Sequence, residues 1–191
     1  SCVVQTDAGA ATGKSALFGD VDWGTDGIQS VLFDTVGNST GNFEIVFSWK
    51  FSVAPTAQAL PLGGGLVAAA DVNDCYALLY NGSGQWFLAC FLNGSYDHAI
   101  GSGPTLFTPT NDVYYFGRLA RNGTTLKANV WQTSVGSEPA GYNIAGGTDT
   151  TITSLRGALV HADQAYDQTF QQFGASTDGD GTAPFSSGGG G

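Results

Sequence analysis

At 191 residues and 19.6 kDa the chain is long enough for one filled core, which at this size buries roughly 70% of the surface that its unfolded form exposes. Six lysines and arginines against sixteen aspartates and glutamates leave a net charge of −10 and a pI near 4.1, which argues against nucleic acid and anionic membranes as partners. No apolar run approaches the roughly 20 residues of a membrane-crossing helix, so no membrane insertion is expected, and 29 glycines with 12% charged residues describe a turn-rich all-β chain.

Residues 1–14 are small and polar without a period, and they read as an N-terminal arm or a loosely held first strand. A strand candidate at 28–36 stops at the turn Gly37-Asn38-Ser39-Thr40-Gly41. In 43–53, Phe43, Ile45, Phe47 and Trp49 alternate with Glu44, Val46, Ser48 and Lys50, the period of two that a half-buried strand requires. Pro55 and Pro61 bound a loop, after which 66–70, 76–80 and 86–92 form a meander. The last of these is apolar on both faces, as in the middle of a sheet covered on two sides. Asn81-Gly82, Asn93-Gly94 and Asn122-Gly123 tolerate positive φ and mark hairpins. Across the third, 113–121 pairs with 124–133, sending Leu126, Ala128 and Val130 one way and Lys127, Asn129 and Trp131 the other. A polar connection leads to closing strands at 150–161 and 165–175. Residues 1–176 thus make one domain, and 177–191 have the composition of a flexible tail or linker.

Strands at this spacing leave a two-sheet antiparallel sandwich or a closed barrel, with the sandwich favoured. Residues 113–131, Val-Tyr-Tyr-Phe-Gly-Arg-Leu-Ala-Arg-Asn-Gly-Thr-Thr-Leu-Lys-Ala-Asn-Val-Trp, followed by Glu138-Pro139 and Thr148-Asp149-Thr150, resemble the second half of concanavalin A-like, LamG-type jelly rolls. Residues 173–184 are similar to the end of such domains in tailed-bacteriophage virion proteins. The resemblance implies a jelly-roll fold and, for the tail, a virion setting; its motifs specify a fold better than a role.

Glycoside hydrolases of that superfamily set two carboxylates roughly 5 Å apart on one strand for a retaining reaction. Here Glu44 stands alone in its strand and Glu138 sits in a turn beside proline, and these are the only glutamates, so no catalytic residue is assigned and an enzyme is not expected. The letters of a nucleophile elbow at 37–41 join strand to strand rather than strand to helix. Thr12-Gly13-Lys14-Ser15 ends like a phosphate-binding loop, yet the motif's first glycine is replaced by Ala8. His98 and His161 have no second His or Cys at metal-ligand spacing in sequence. Calcium is the better metal candidate, through Asp20, Asp22 and Asp26, through Asp71, Asn73 and Asp74, or through Asp178 and Asp180, although such residues also serve turns, and the metal assignment stays open.

Cys75 and Cys90 face one another if Gly82 and Ser83 form the turn, which permits a disulfide; an Asn81-Gly82 turn puts Leu88 opposite Cys75 instead. The sequons at Asn38, Asn81, Asn93 and Asn122 are explained by turn chemistry. Trp86, Trp131 and Tyr142 are the candidate sugar-stacking residues, weighed against ordinary core packing. Two readings follow. The first is a non-enzymatic, virion-associated decoration or fibre domain that contacts neighbouring subunits or a host surface as a homo-oligomer. The alternative is a secreted carbohydrate-binding or carbohydrate-cleaving jelly roll.

Overall fold

The structure is a computed structural model that describes residues 2–6, 14–18, 29–32, 42–56, 58–71, 73–132, 138–161 and 168–176. The described residues contain no helix. They form β1 (Cys2–Thr6), β2 (Lys14–Phe18), β3 (Gln29–Leu32), β4 (Phe43–Phe51), β5 (Gln58–Ala68), β6 (Cys75–Asn81), β7 (Trp86–Leu92), β8 (Ser95–Ile100), β9 (Tyr114–Asn122), β10 (Thr125–Gln132), β11 (Leu155–His161) and β12 (Gln168–Ser176). Two six-stranded antiparallel sheets face each other, in the orders β1-β2-β12-β4-β9-β10 and β3-β11-β5-β6-β7-β8. This is a two-sheet jelly-roll sandwich, as expected.

Alternation builds the interior. Phe43, Ile45, Phe47, Trp49 and Phe51 of β4 point inward against Leu66, Tyr76, Leu78, Tyr80, Trp86 and Leu88 of the opposite sheet. Trp49 meets Trp86 edge-on across the sheets, with ring centroids 6.3 Å apart. Phe47 lies where β5 and β9 supply only glycine: a Cβ built on Gly63, Gly64 or Gly117 would run into its ring. A second buried cluster, with Val67, Cys75, Ala77, Ala89 and Phe91, covers the outer face of the β5–β6–β7 sheet, so β7 is buried on both faces as its sequence requires.

The three Asn-Gly pairs make three different turns. Asn93 and Gly94 both take positive φ (51° and 75°) between paired Leu92 and Ser95, a type I′ hairpin. At the third, Asn122 pairs with Thr125, so the turn centres one residue later than expected, on Gly123 and Thr124. At the first, the chain closes between Asn81 and Gln85 over a three-residue loop, and Cys75 pairs with Phe91 while Cys90 pairs with Tyr76. The odd loop length changes the register from both candidates in the sequence, and the two thiols are free.

Of the two readings of residues 1–14, the first strand is the one seen: β1 pairs with β2 at one edge. Other expectations shift. Pro61 bounds no loop; it lies inside β5, where a register irregularity between Ala59 and Leu62 leaves it without a ladder partner. β8 has no candidate in the sequence because its Ser-Tyr-Asp-His-Ala run is that of a solvated edge strand. The tail at 177–191 lies outside the described residues.

Candidate functional site

The outer face of the β9–β10 hairpin carries a pair of aromatic rings outside the core clusters. Phe116 pairs with Trp131 in register, and their rings stack with centroids 5.3 Å apart and 20° between planes. Both are half-buried and neither belongs to a core cluster. Ser48 of β4 continues the row beside Phe116. Four residues back along β10, the Lys127 ammonium sits 4.2 Å from the centroid of the half-buried Tyr142 ring. Trp131 and Lys127 stand about 13 Å apart along one strand.

Between these two ends lies a buried ionic cluster. Arg118 donates through Nε and Nη2 to Glu138 Oε1 and Oε2 at 2.6 and 2.7 Å, and through Nη1 to Glu44. Asn129 Nδ2 adds a bond to Glu138 Oε1 at 2.9 Å. The chain's two glutamates, 94 residues apart in sequence, thus share one guanidinium. Burial alone would lower the Arg118 pKa, but the Glu138 bonds and the Glu44 charge outweigh it and raise it. Glu138 places both oxygens on Arg118, so the pair holds a loop down rather than straddling a cleft. Beyond it, the Asn143 side chain mimics a strand partner to Val130, accepting its N–H at 3.0 Å and donating to its carbonyl at 2.7 Å.

A second polar cluster forms where residues 144–153 strap the edge of β10 to the other sheet. The Tyr76 hydroxyl accepts the Ile152 N–H at 2.9 Å and donates to Asp149 Oδ1 at 2.6 Å. His98 Nε2 meets Asp149 Oδ2, and His98 Nδ1 meets Asp97 Oδ2, each at 2.7 Å. Asp97 and His98 are consecutive, which in a regular strand would send them to opposite faces. A bulge prevents that: Cys90 pairs with His98 and Phe91 with Tyr96, leaving Asp97 as the extra residue. The bonds to Asp97 and then Asp149 raise the His98 pKa. Burial pushes the Asp149 carboxyl up, but bonds from Tyr76, the Thr151 N–H and His98 outweigh it and hold it below its ordinary value. Next to the strap is an open groove of about 430 Å³, lined by residues 68–70, Asp74 and residues 151–154. Its described lining contains no aromatic ring.

Of the candidate stacking residues, Trp86 is lost to the core: it is fully buried against Tyr80, Phe107 and Trp49, and its indole N–H donates to the Phe107 carbonyl at 2.9 Å. Trp131 and Tyr142 remain on the surface, joined by Phe116, whose in-register pairing with Trp131 no local pattern marks. Asp71 and Asp74 serve turns, accepting from the N–H groups of Asn73 and Asn93, and so does Asn81, which accepts from Ser83 and Gln85. Asp20, Asp22, Asp26, Asp178, Asp180 and the Asn38 sequon lie outside the described residues. The Cys90–His98 pairing was invisible in sequence because the two residues meet across strands.

No protein-family profile matches the chain, and no curated protein matches it. Among solved structures it is similar to the carbohydrate-binding module CBM66 from Bacillus subtilis, at 13% identity and a TM-score of 0.57 over 92% of this chain and 91% of that one. It is similar to a carbohydrate esterase from the Shiga toxin-encoding bacteriophage phi24B, at 8% identity and a TM-score of 0.52 over 92% and 86%. It is also similar to the alginate lyase from a Corynebacterium species, at 11% identity and a TM-score of 0.51 over 91% and 80%. At these identities the likeness shows a shared β-sandwich fold.

Proposed function

We propose that this chain is a carbohydrate-binding β-sandwich that holds sugar on the outer face of the β9–β10 hairpin and does not cleave it. The observation that carries the reading is the stacked, half-exposed Phe116–Trp131 pair, a flat apolar surface suited to a sugar ring's C–H face. Lys127, four residues along the same strand, is a polar group within reach of a longer glycan, while Glu138 and Asn143 are occupied by Arg118 and the Val130 backbone. The strapped groove offers polar atoms but no such flat surface, so stacking falls to Trp131. Binding without cleavage is supported by the use of both glutamates on Arg118. Two of the fold neighbours above bind or act on carbohydrate by name, which favours the same reading.

The test is a glycan array probed with the purified chain, followed by titration of the best glycan. Saturable binding, weakened at least about tenfold by Trp131→Ala without loss of melting temperature, is expected. No glycan bound, or equal binding by the variant, would sink the proposal.

The virion-associated reading draws on the likeness of residues 173–184 to phage virion domains and on a bacteriophage protein among the fold neighbours. That neighbour is itself a carbohydrate esterase, so it favours glycan over subunit contacts. Recovery of this chain from purified particles at a fixed copy number would restore the particle reading.

A further inference from the structure

We infer that Cys90, Asp97 and His98 form a binding site for a divalent transition-metal ion of the zinc class at the bulged edge of β8. The inference is independent of the glycan reading. One ligand atom from each residue lies within 4.8 Å of the other two. A tetrahedral ion with bonds of about 2.0–2.3 Å sets its ligand atoms roughly 3.3–3.8 Å apart, so small side-chain rotations close the site.

Four features make this a built site. The bulge turns Asp97 to the same side as His98, and the register places Cys90 directly across from His98. Asp149 then receives the Nε2 proton, which fixes the ring and leaves Nδ1 facing Asp97; a carboxylate behind a ligating imidazole orients the ring and raises its basicity. Asp97 and Asp149 both bond the His98 ring, and Asp74, Asp97 and Asp149 all place negative charge near Cys90, a setting that favours a cation. Access is open from the edge strand, where the side chains of His98 and Asp97 are 39% and 48% exposed. A mixed sulfur, nitrogen and oxygen set selects zinc-like ions over calcium or magnesium, which take oxygen ligands alone. Three protein ligands leave a fourth position for water or an outside ligand.

Binding exchanges protons for metal. The ion takes the place of the Cys90 thiol proton and of any proton that Nδ1 carries, so one or two protons leave as one dication enters.

The experiment uses the full chain, stripped with a chelator and titrated with Co²⁺ for spectroscopy and Zn²⁺ for calorimetry. One ion per chain, a near-ultraviolet thiolate-to-cobalt band, proton release across buffers of different ionisation enthalpy, and a raised melting temperature with Zn²⁺ are expected. His98→Gln and Asp97→Asn should each weaken Zn²⁺ at least about tenfold, and Asp149→Asn about 10–100-fold while keeping the cobalt band. Cys90→Ser should abolish the band; should that core variant fail to fold, His98→Gln at its partly exposed position decides. Absence of the band, absence of a Zn²⁺-dependent melting shift, undiminished affinity in His98→Gln, or a preference for Ca²⁺ would each overturn the inference.

Discussion

Cys75 and Cys90 lie on adjacent strands yet on opposite faces of their sheet: Cys75 joins the outer cluster with Phe91, and Cys90 joins the interior beside Tyr76. Side chains alternate along a strand, so residues one step out of register point apart. Burial pushes the Cys90 thiol up to about 12, with Asp149, Asp97 and Asp74 adding to it, and burial likewise raises Cys75. Metal-free native protein is expected to show no peptide cross-linking these residues, and slow alkylation of both that becomes fast on unfolding. Peptide mapping by mass spectrometry checks both.

Arg118 is 1% exposed, as is its partner Glu44. Replacing it by methionine strips Glu44 of its guanidinium in a buried site and should cost about 3–5 kcal/mol in denaturant unfolding. Arg118→Lys should cost much of this too, since an ammonium cannot reproduce the two-pronged Glu138 contact. The double replacement Glu44→Gln with Arg118→Met should recover part of the loss.

Gly64→Ala should destabilise by about 1–3 kcal/mol, because the new methyl enters space held by the Phe47 ring. Adding Phe47→Leu to that variant should restore stability, whereas Phe47→Leu alone should lower it. Thermal unfolding of the three variants distinguishes a steric cause from a backbone one.

The His98–Asp149 contact predicts a pH dependence in chelator-treated protein. The His98 pKa is raised above its ordinary 6.5, so its contribution is complete below that value and is lost as pH rises through the raised one. The Asp149 pKa is lowered below its ordinary 3.8, so its contribution is complete above that value and is lost as pH falls through the depressed one. Stability from this contact is therefore greatest in the mildly acidic range. Asp97, Asp149, Cys90 and Tyr76 surround the ring; burial, with Asp149 adding to it, raises both the Cys90 and Tyr76 values well out of this range. Unfolding free energy should fall from mildly acidic to alkaline pH in the wild type and less so in His98→Gln, the difference being under about 1 kcal/mol because the ring is 39% exposed.

Much of the fold was legible in the residues. The strands β4 and β10, the doubly apolar β7 and the Asn93-Gly94 reversal each depend on neighbours a few positions away and appear in the structure, although β4 is buried on both faces rather than half-buried and the other two Asn-Gly pairs turn in a different register. β8 was not legible, since an edge strand needs no apolar alternation. Trp86 and Trp131 look alike in sequence, and only the side on which each strand meets its partner sheet separates a core ring from a surface ring.

The sequence by itself determined an acidic, all-β chain of paired hairpins with one face of each strand turned inward, because strand period and turn φ are local properties. Tertiary structure alone decided which distant groups meet: Glu44 with Glu138 on Arg118, Cys90 with His98, and Phe116 with Trp131. Those meetings depend on the summed register of every turn and bulge between the partners. A single inserted residue reverses the face on which a side chain stands, and no local window of sequence carries that sum.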